Sequence, residues 1–78
     1  MAIETTYWVQ PYWSDRAKLA RGVLRQFARR EAALRAGEAA ARQVGGAIVY
    51  SVDGDPAFAE WERPRLLAAH GSVPDVRF

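Results

Sequence analysis

The chain has 78 residues, a formal net charge of +2, one histidine and no cysteine, a composition that excludes a disulfide framework and a thiolate or histidine-rich metal site. This length suits one domain, so we expect a single domain over residues 1–78 with a loose tail from about residue 72. From the composition we expect neither a metal nor a cofactor. No segment approaches the roughly 18 apolar residues of a membrane span, and residues 1–13 lack a basic start followed by an apolar run, so we expect a cytoplasmic protein without membrane contact.

The first predicted element is a β-strand over residues 3–13, which are rich in β-branched and aromatic side chains. Pro11 has no N–H to donate, which favours an edge position or a bend near the end of this strand. Side chains alternate between the two faces of a strand. One face therefore carries Tyr7, Val9 and Trp13, and the other carries Trp8, Gln10 and Tyr12. Because both faces hold aromatic rings, one can pack against a helix while the other needs a separate cover.

Residues 14–27 allow two interpretations. Ser14 is a suitable N-cap, and Leu19, Val23 and Phe27 follow at helical spacing, which favours one long helix from about residue 14 to 44. The alternative is an extended segment with a second strand over residues 23–27. The helical phase of the following residues distinguishes these two possibilities.

The alanine-rich residues 31–44 predict an amphipathic helix. Small side chains fall in one narrow sector, and charged side chains fall on the opposite side. Extending this phase backwards would turn Gln26 and Arg29 inward and place Leu24 among the charges, so we expect the helix to begin near Arg29 or Arg30. The small face lets the helix lie close to its partner surface, which we expect to supply aromatic bulk. The inner set is Ala33, Gly37, Ala40 and Val44, and the outer set is Glu31, Arg35, Glu38 and Arg42.

The residues after the helix predict a second pair of strands. Gly45 and Gly46 are typical of a helix C-cap, and residues 47–52 form an apolar strand. Residues 53–56, Asp-Gly-Asp-Pro, predict a turn because glycine accepts positive φ and aspartate bonds nearby backbone. Residues 65–71 fit a strand or a short helix by periodicity, and their length and position favour a strand.

These elements predict an α+β fold, a β-β-α-β-β antiparallel sheet with one helix packed on one face. The alternative is a β-α-β-β arrangement with the long helix from about residue 14 to 44. The phase of residues 31–44 favours the first.

Several stretches resemble a family of short uncharacterised bacterial proteins. The strongest is the Gly-Ala-x-x-Tyr-Ser-x-x-Gly-Asp-Pro pattern of residues 46–56. In that family the region matching residues 18–27 is extended, and the resemblance implies no known activity, cofactor or partner. The other matching stretches are Tyr7-Trp8-Val9-Gln10, Glu60-Trp61-Glu62, Leu66-Leu67-Ala68, Gly71 and Val73-Pro74.

Charge is distributed unevenly along the chain. Residues 15–30 contain six basic residues and one acid, giving +5, whereas residues 53–62 contain four acids and no base, giving −4. Such a division can steer an anionic partner to one region, or it can let two copies of the chain pair.

No catalytic constellation is visible. Asp53 and Asp55 lack the further acids of a calcium loop, so we interpret them as turn residues rather than cation ligands. His70 has no neighbouring nucleophile or orienting acid in the sequence. We therefore expect no catalytic residue and a protein that is not an enzyme.

Two binding functions follow from the aromatic strand. The first is a small interaction module that self-associates, as a homodimer, through the second sheet face or a free strand edge. The second is single-stranded nucleic-acid binding, in which exposed rings stack on bases and arginines hold phosphates. The residues predicted for it are Trp8, Tyr12, Arg21 and Arg25.

Overall fold

The computed structural model describes residues 3–57 and 59–75. It contains one helix and six strands, all paired antiparallel, which confirms the α+β class. The elements are β1 (Glu4–Asp15), β2 (Lys18–Arg21), β3 (Arg25–Phe27), α1 (Arg30–Val44), β4 (Gly45–Asp55), β5 (Glu60–Trp61) and β6 (Arg65–Gly71).

The sheet is built from two hairpins whose outer strands are broken. β1 and β4 pair with each other at the centre, β2 and β3 both pair with the outer side of β1, and β5 and β6 both pair with β4. The predicted four-strand order is therefore wrong in detail, because one expected strand on each side is two strands. The long-helix alternative is also wrong, since β2 and β3 occupy residues that it made helical.

Pro11 accounts for the first break. It lies inside the continuous strand β1, not at a bend or an edge, and it has no N–H to offer to the neighbouring strand. Residues 22–24 bulge opposite Gln10 and Pro11. The Gly22 N–H donates to the Pro11 carbonyl at 2.8 Å, and Gln10 Nε2 donates to the Gly22 carbonyl at 2.8 Å. A side-chain amide thus replaces the missing backbone donor. Residues 22–24 therefore separate the end of β2 from the start of β3.

The second hairpin repeats the same break. Residues 62–64 bulge opposite Val52 and Asp53, and the Glu62 N–H donates to the Asp53 carbonyl at 2.8 Å. Trp8 lies two residues before Gln10 at the first break, and Tyr50 lies two residues before Val52 at the second, so the two occupy equivalent positions. They also pair directly with each other. The Trp8–Tyr50 pair therefore marks the centre of the sheet.

The turn after β4 comes later than predicted. β4 continues through Asp55, and Pro56, Ala57 and Ala59 are turn residues. The Asp55 carboxylate accepts the Ala57 N–H at 3.0 Å and so starts the turn. Residues 53–55 belong to the strand because each has a cross-strand neighbour in β1, in β5 or in both.

The helix begins at Arg30, as its phase predicted, and ends at Val44, where Gly45 forms the C-cap with a φ of 113° that suits glycine. Its small face lies directly on the sheet: a Cβ at Gly37 would overlap the side chain of Val49. The expected aromatic partner is only partly correct, because valines fill the centre while Tyr7 and Phe27 pack around it. The buried cluster is Val9, Ala33, Ala47 and Val49.

The remaining sequence expectations concern the membrane and the tail. Within residues 3–57 and 59–75, no helix is long and apolar enough to cross a membrane. Residues 72–75 carry no helix or strand, and the Ser72 N–H donates to the Gly45 carbonyl at 3.0 Å. The rest of the predicted tail, residues 76–78, lies outside the described residues, so a loose tail stays a prediction.

Candidate binding face

The candidate site is the sheet face opposite α1, hereafter the open face. Residues directly opposite each other on paired strands share a face, and residues two apart on one strand do so as well. Val9, Ala47 and Val49 pack under the helix, so Trp8 and its partner Tyr50 lie on the open face. The same rule places Thr6, Gln10, Tyr12, Ile48, Val52, Arg21, Gln26 and Leu66 there.

A groove of about 450 Å³ runs across the open face, and none of the described residues that line it is charged. The side chains that line the groove are mostly large and apolar. Trp61 is 50% exposed, and Leu66, the cross-strand partner of Tyr50, is 48% exposed. Ile48 is already buried within the chain, so the uncovered part is centred on Trp8 and Trp61. The lining residues are Thr6, Trp8, Leu24, Gln26, Tyr50, Val52, Trp61 and Pro64.

Trp8 is held rigidly at the centre of this groove. Its ring stacks on Tyr50 with centroids 6.5 Å apart and planes inclined by 14°. Its Nε1–H donates to Thr6 Oγ1 at 2.9 Å, and that hydroxyl donates to the Val52 carbonyl at 3.2 Å. Because the indole N–H is already bonded inside the chain, Trp8 offers a partner its apolar ring surface.

Trp61 lies flat against the sheet because of Gly54. A Cβ at Gly54 would overlap the Trp61 ring, so only glycine leaves room for the ring to cover the strand. The two residues are cross-strand partners in β4 and β5. Trp61 therefore forms the end wall of the groove.

Burial raises the pKa of the Tyr50 hydroxyl above its ordinary value of 10.0, and the neighbouring Tyr12 raises it further. Both causes disfavour the phenolate. Tyr50 is therefore neutral at physiological pH, and the centre of the open face carries no charge there.

The structure brings together three of the four residues predicted from the sequence. Trp8, Tyr12 and Arg21 lie on the open face, since Arg21 is the cross-strand partner of Tyr12. Arg25 is the partner of Val9 and lies on the opposite side, with its guanidinium 5.1 Å from the centre of the Phe27 ring. It therefore belongs to the margin of the helix-covered side.

Sequence reasoning missed two of the most important residues. Tyr50 shares the alternation of Ile48 and Val52, so the pattern of β4 could have identified it once the pairing with β1 was known. Trp61 had no such signal, because β5 has two residues and its place depends on Gly54.

Two charged side chains face the open side among the described strand residues: Glu4 near one end and Arg21 toward the other. Glu4 pairs with Gly54, and Arg21 pairs with Tyr12. The predicted charge clusters are therefore divided between the two faces, because Asp53 pairs with Thr5 and Arg25 pairs with Val9 on the helix side, whereas Arg21 lies on the open face. Counted over its described strand residues, the open face is thus apolar at its centre and carries one charge of each sign near its ends.

The residues considered for metal or acid–base chemistry lie elsewhere. Within the described chain, no group of three or more acidic or histidine side chains could hold a metal ion. Asp53 accepts a hydrogen bond from Thr5 Oγ1 at 2.6 Å, and Asp55 is buried at the end of the sheet. His70 pairs with Ala47 on the helix-covered side.

Comparisons of the chain with protein-family models, with curated proteins and with solved structures find no match. The resemblance to short bacterial proteins described above therefore stays a prediction, and the open face is the feature of the molecule that indicates a function.

Proposed function

We propose that this protein is a non-enzymatic interaction module that self-associates through the open face of its sheet. The observation that carries the proposal is an uncharged groove, walled by two tryptophans, on the one sheet face that the helix does not cover. Contiguous exposed apolar patches on soluble proteins commonly mark interaction surfaces.

The two faces of the sheet explain why a second layer is needed. The helix side buries only small side chains, alanine and valine, at its centre. Tyr7 and Phe27 pack around that centre, whereas the three rings that line the groove lie on the other side, where Trp61 is half exposed and Trp8 and Tyr50 are only partly buried. A second sheet packed about 10 Å away would remove these rings from water.

The open face is also large enough for a stable contact. Four strands about 4.8 Å apart and ten residues long cover roughly 19 by 34 Å in projection. A typical specific interface buries about 800 Å² on each partner, and the accessible area of a side-chain surface exceeds its projection. Another copy of the chain presents a face of matching size and apolar character.

Analytical ultracentrifugation over a range of concentrations tests the proposal. We expect a monomer–dimer equilibrium in which Leu66→Glu shifts the protein to monomer, because it buries a carboxylate beside Tyr50. Val23→Glu is the matched control, since Val23 is 79% exposed and lies in the bulge between β2 and β3. A wild-type monomer at several hundred micromolar would remove the proposal.

Single-stranded nucleic acid is the second candidate, favoured by the shared face of Trp8, Tyr12 and Arg21. It has less support, because Arg21 is the one cation among the described strand residues of this face and Arg25 points away. It predicts tryptophan quenching by an oligonucleotide that weakens steeply with salt. Absence of quenching at low salt would exclude it.

A cytoplasmic location, expected from the sequence, stays a prediction. Expression of a fluorescent fusion followed by fractionation would test it independently of the binding partner.

A further inference from the structure

We infer that two copies pack open face to open face about a two-fold axis that runs across the strands at the Trp8–Tyr50 row, so that Arg21 of each copy meets Glu4 of the other. This inference rests on the proposed self-association and specifies its geometry. It depends on the positions of the two charges on the open face.

The two charges are equally far from the centre of the sheet. Glu4 lies four residues before Trp8 in β1, and Arg21 pairs with Tyr12, four residues after Trp8. At about 3.4 Å per residue, each is roughly 14 Å from the central row along the strand direction. A two-fold rotation about that row therefore exchanges their positions.

The sideways offset is small enough for contact. Glu4 is in β1 and Arg21 is in the adjacent strand β2, so they differ by one strand spacing, about 4.8 Å. An arginine side chain spans that distance. The rotation forms the Arg21–Glu4 contact twice in each dimer, as an isologous interface requires.

Within one chain the same two groups cannot meet. They are eight strand positions apart, roughly 27 Å along the sheet. Glu4 and Arg21 on the open face can therefore form an ion pair with each other only across two copies of the chain.

The other face-to-face arrangement is disfavoured by the same charges. An axis parallel to the strands and midway between β1 and β4 would place Glu4 about one strand spacing from Glu4 of the second copy. Two carboxylates at that separation in an apolar interface repel. The axis across the strands replaces this repulsion with two attractive pairs.

A charge-exchange experiment tests the arrangement. Glu4→Arg and Arg21→Glu each create two like-charge contacts per dimer, so each variant alone should dimerise at least about tenfold more weakly than wild type. An equimolar mixture of the two should recover the wild-type affinity. In the mixed dimer, the arginine introduced at position 4 of one chain faces the glutamate introduced at position 21 of the other, and the native pair forms at the second contact. The Glu4→Arg/Arg21→Glu double variant should recover the affinity as well.

Matched controls on the exposed side of α1 are Glu38→Arg and Arg42→Glu, which change the net charge equally and should leave the dissociation constant unchanged. Circular dichroism checks that each variant is folded. Cross-linking gives an independent measurement, because residues on the axis meet their own copy. Gln26→Cys, in the central row, should be joined by a bismaleimide of about 10 Å, the separation of packed sheets, whereas Gln43→Cys on α1 should not.

The outcomes separate the arrangement from self-association itself. If wild type dimerises and both charge variants dimerise as tightly as wild type, the arrangement is wrong and self-association stands. The same conclusion follows if the mixture of the two variants fails to recover the wild-type affinity. If Gln26→Cys is not cross-linked in a folded dimer, the axis lies elsewhere, for example along a strand edge. If wild type stays monomeric at high concentration, the proposed function fails and this arrangement fails with it.

Discussion

The two faces of this sheet are packed by opposite means. On the helix side, Gly37 lies against Val49 and the layer is thin, because every central side chain is small. On the open side, Trp8, Tyr50 and Trp61 form a thick layer that no element of the described chain covers. Substitutions on the helix side should therefore change the stability of the fold, whereas those on the open side should change association.

The largest expected effect is on the helix side. Gly37→Leu inserts a side chain where even a Cβ would overlap Val49, which is fully buried and stiff at χ1. Overpacking of this kind costs about 1 to 3 kcal/mol, and the better helix propensity of leucine recovers less than about 1 kcal/mol. Urea denaturation should show a loss of about 2 kcal/mol. Ala39→Leu, outside the buried core cluster, is the control and should lose much less.

A smaller effect on folding but a large one on association is expected at Trp8. Trp8→Ala removes the central ring of the open face, and loss of such an anchor typically costs about 2 kcal/mol of binding, a roughly thirtyfold weaker dimer. Trp13→Ala is the matched control, because Trp13 is 43% exposed and lies on the other side of β1. Sedimentation equilibrium measures both. Equal weakening by the two variants would contradict the assignment of the interface to the open face.

The junction between α1 and β4 should show an intermediate effect on stability. Gly45→Ala places a Cβ on a residue with φ of 113°, which costs about 1 kcal/mol because side chains disfavour positive φ. No heavy atom surrounds that position within 4 Å in the described part of the chain, so the loss should be purely conformational. Thermal unfolding should detect it, with dimerisation measured at the same time and unchanged.

The smallest effect is a pH dependence that comes from Tyr50. Its pKa is raised in the folded chain by burial and by Tyr12, so the folded state holds the proton more tightly than the unfolded state. The free energy of unfolding should therefore be independent of this group below about pH 10, its ordinary pKa, and should fall as pH rises through the folded pKa. Tyr50→Phe should have a shallower alkaline decrease. An identical alkaline slope in the two proteins would contradict this account.

The comparison between the two hairpins shows why the strand count was mispredicted. Both outer strands break at the same place in the backbone pattern, yet the residues of the central strands at that place differ: Gln10 and Pro11 in β1, and Val52 and Asp53 in β4. The two breaks share one backbone hydrogen bond, from the Gly22 N–H to the Pro11 carbonyl and from the Glu62 N–H to the Asp53 carbonyl, although their sequences differ. The residue pattern of the outer strand alone does not predict such a break, because the position of the break depends on the neighbouring strand.

What the sequence determined by itself is the local and periodic part of the fold. The start of the helix near Arg30, its glycine end, the alternation of β1 and the strand over residues 65–71 all follow from repeats of about 3.6 and 2 residues and from cap chemistry. Only the tertiary structure decided which strands pair, that Pro11 lies inside a central strand, and that Tyr50 and Trp61 join Trp8 on one face while Arg25 lies on the other. The reason is physical: periodicity assigns a side chain to one side of its own strand, but the register between strands far apart in sequence decides which side chains meet.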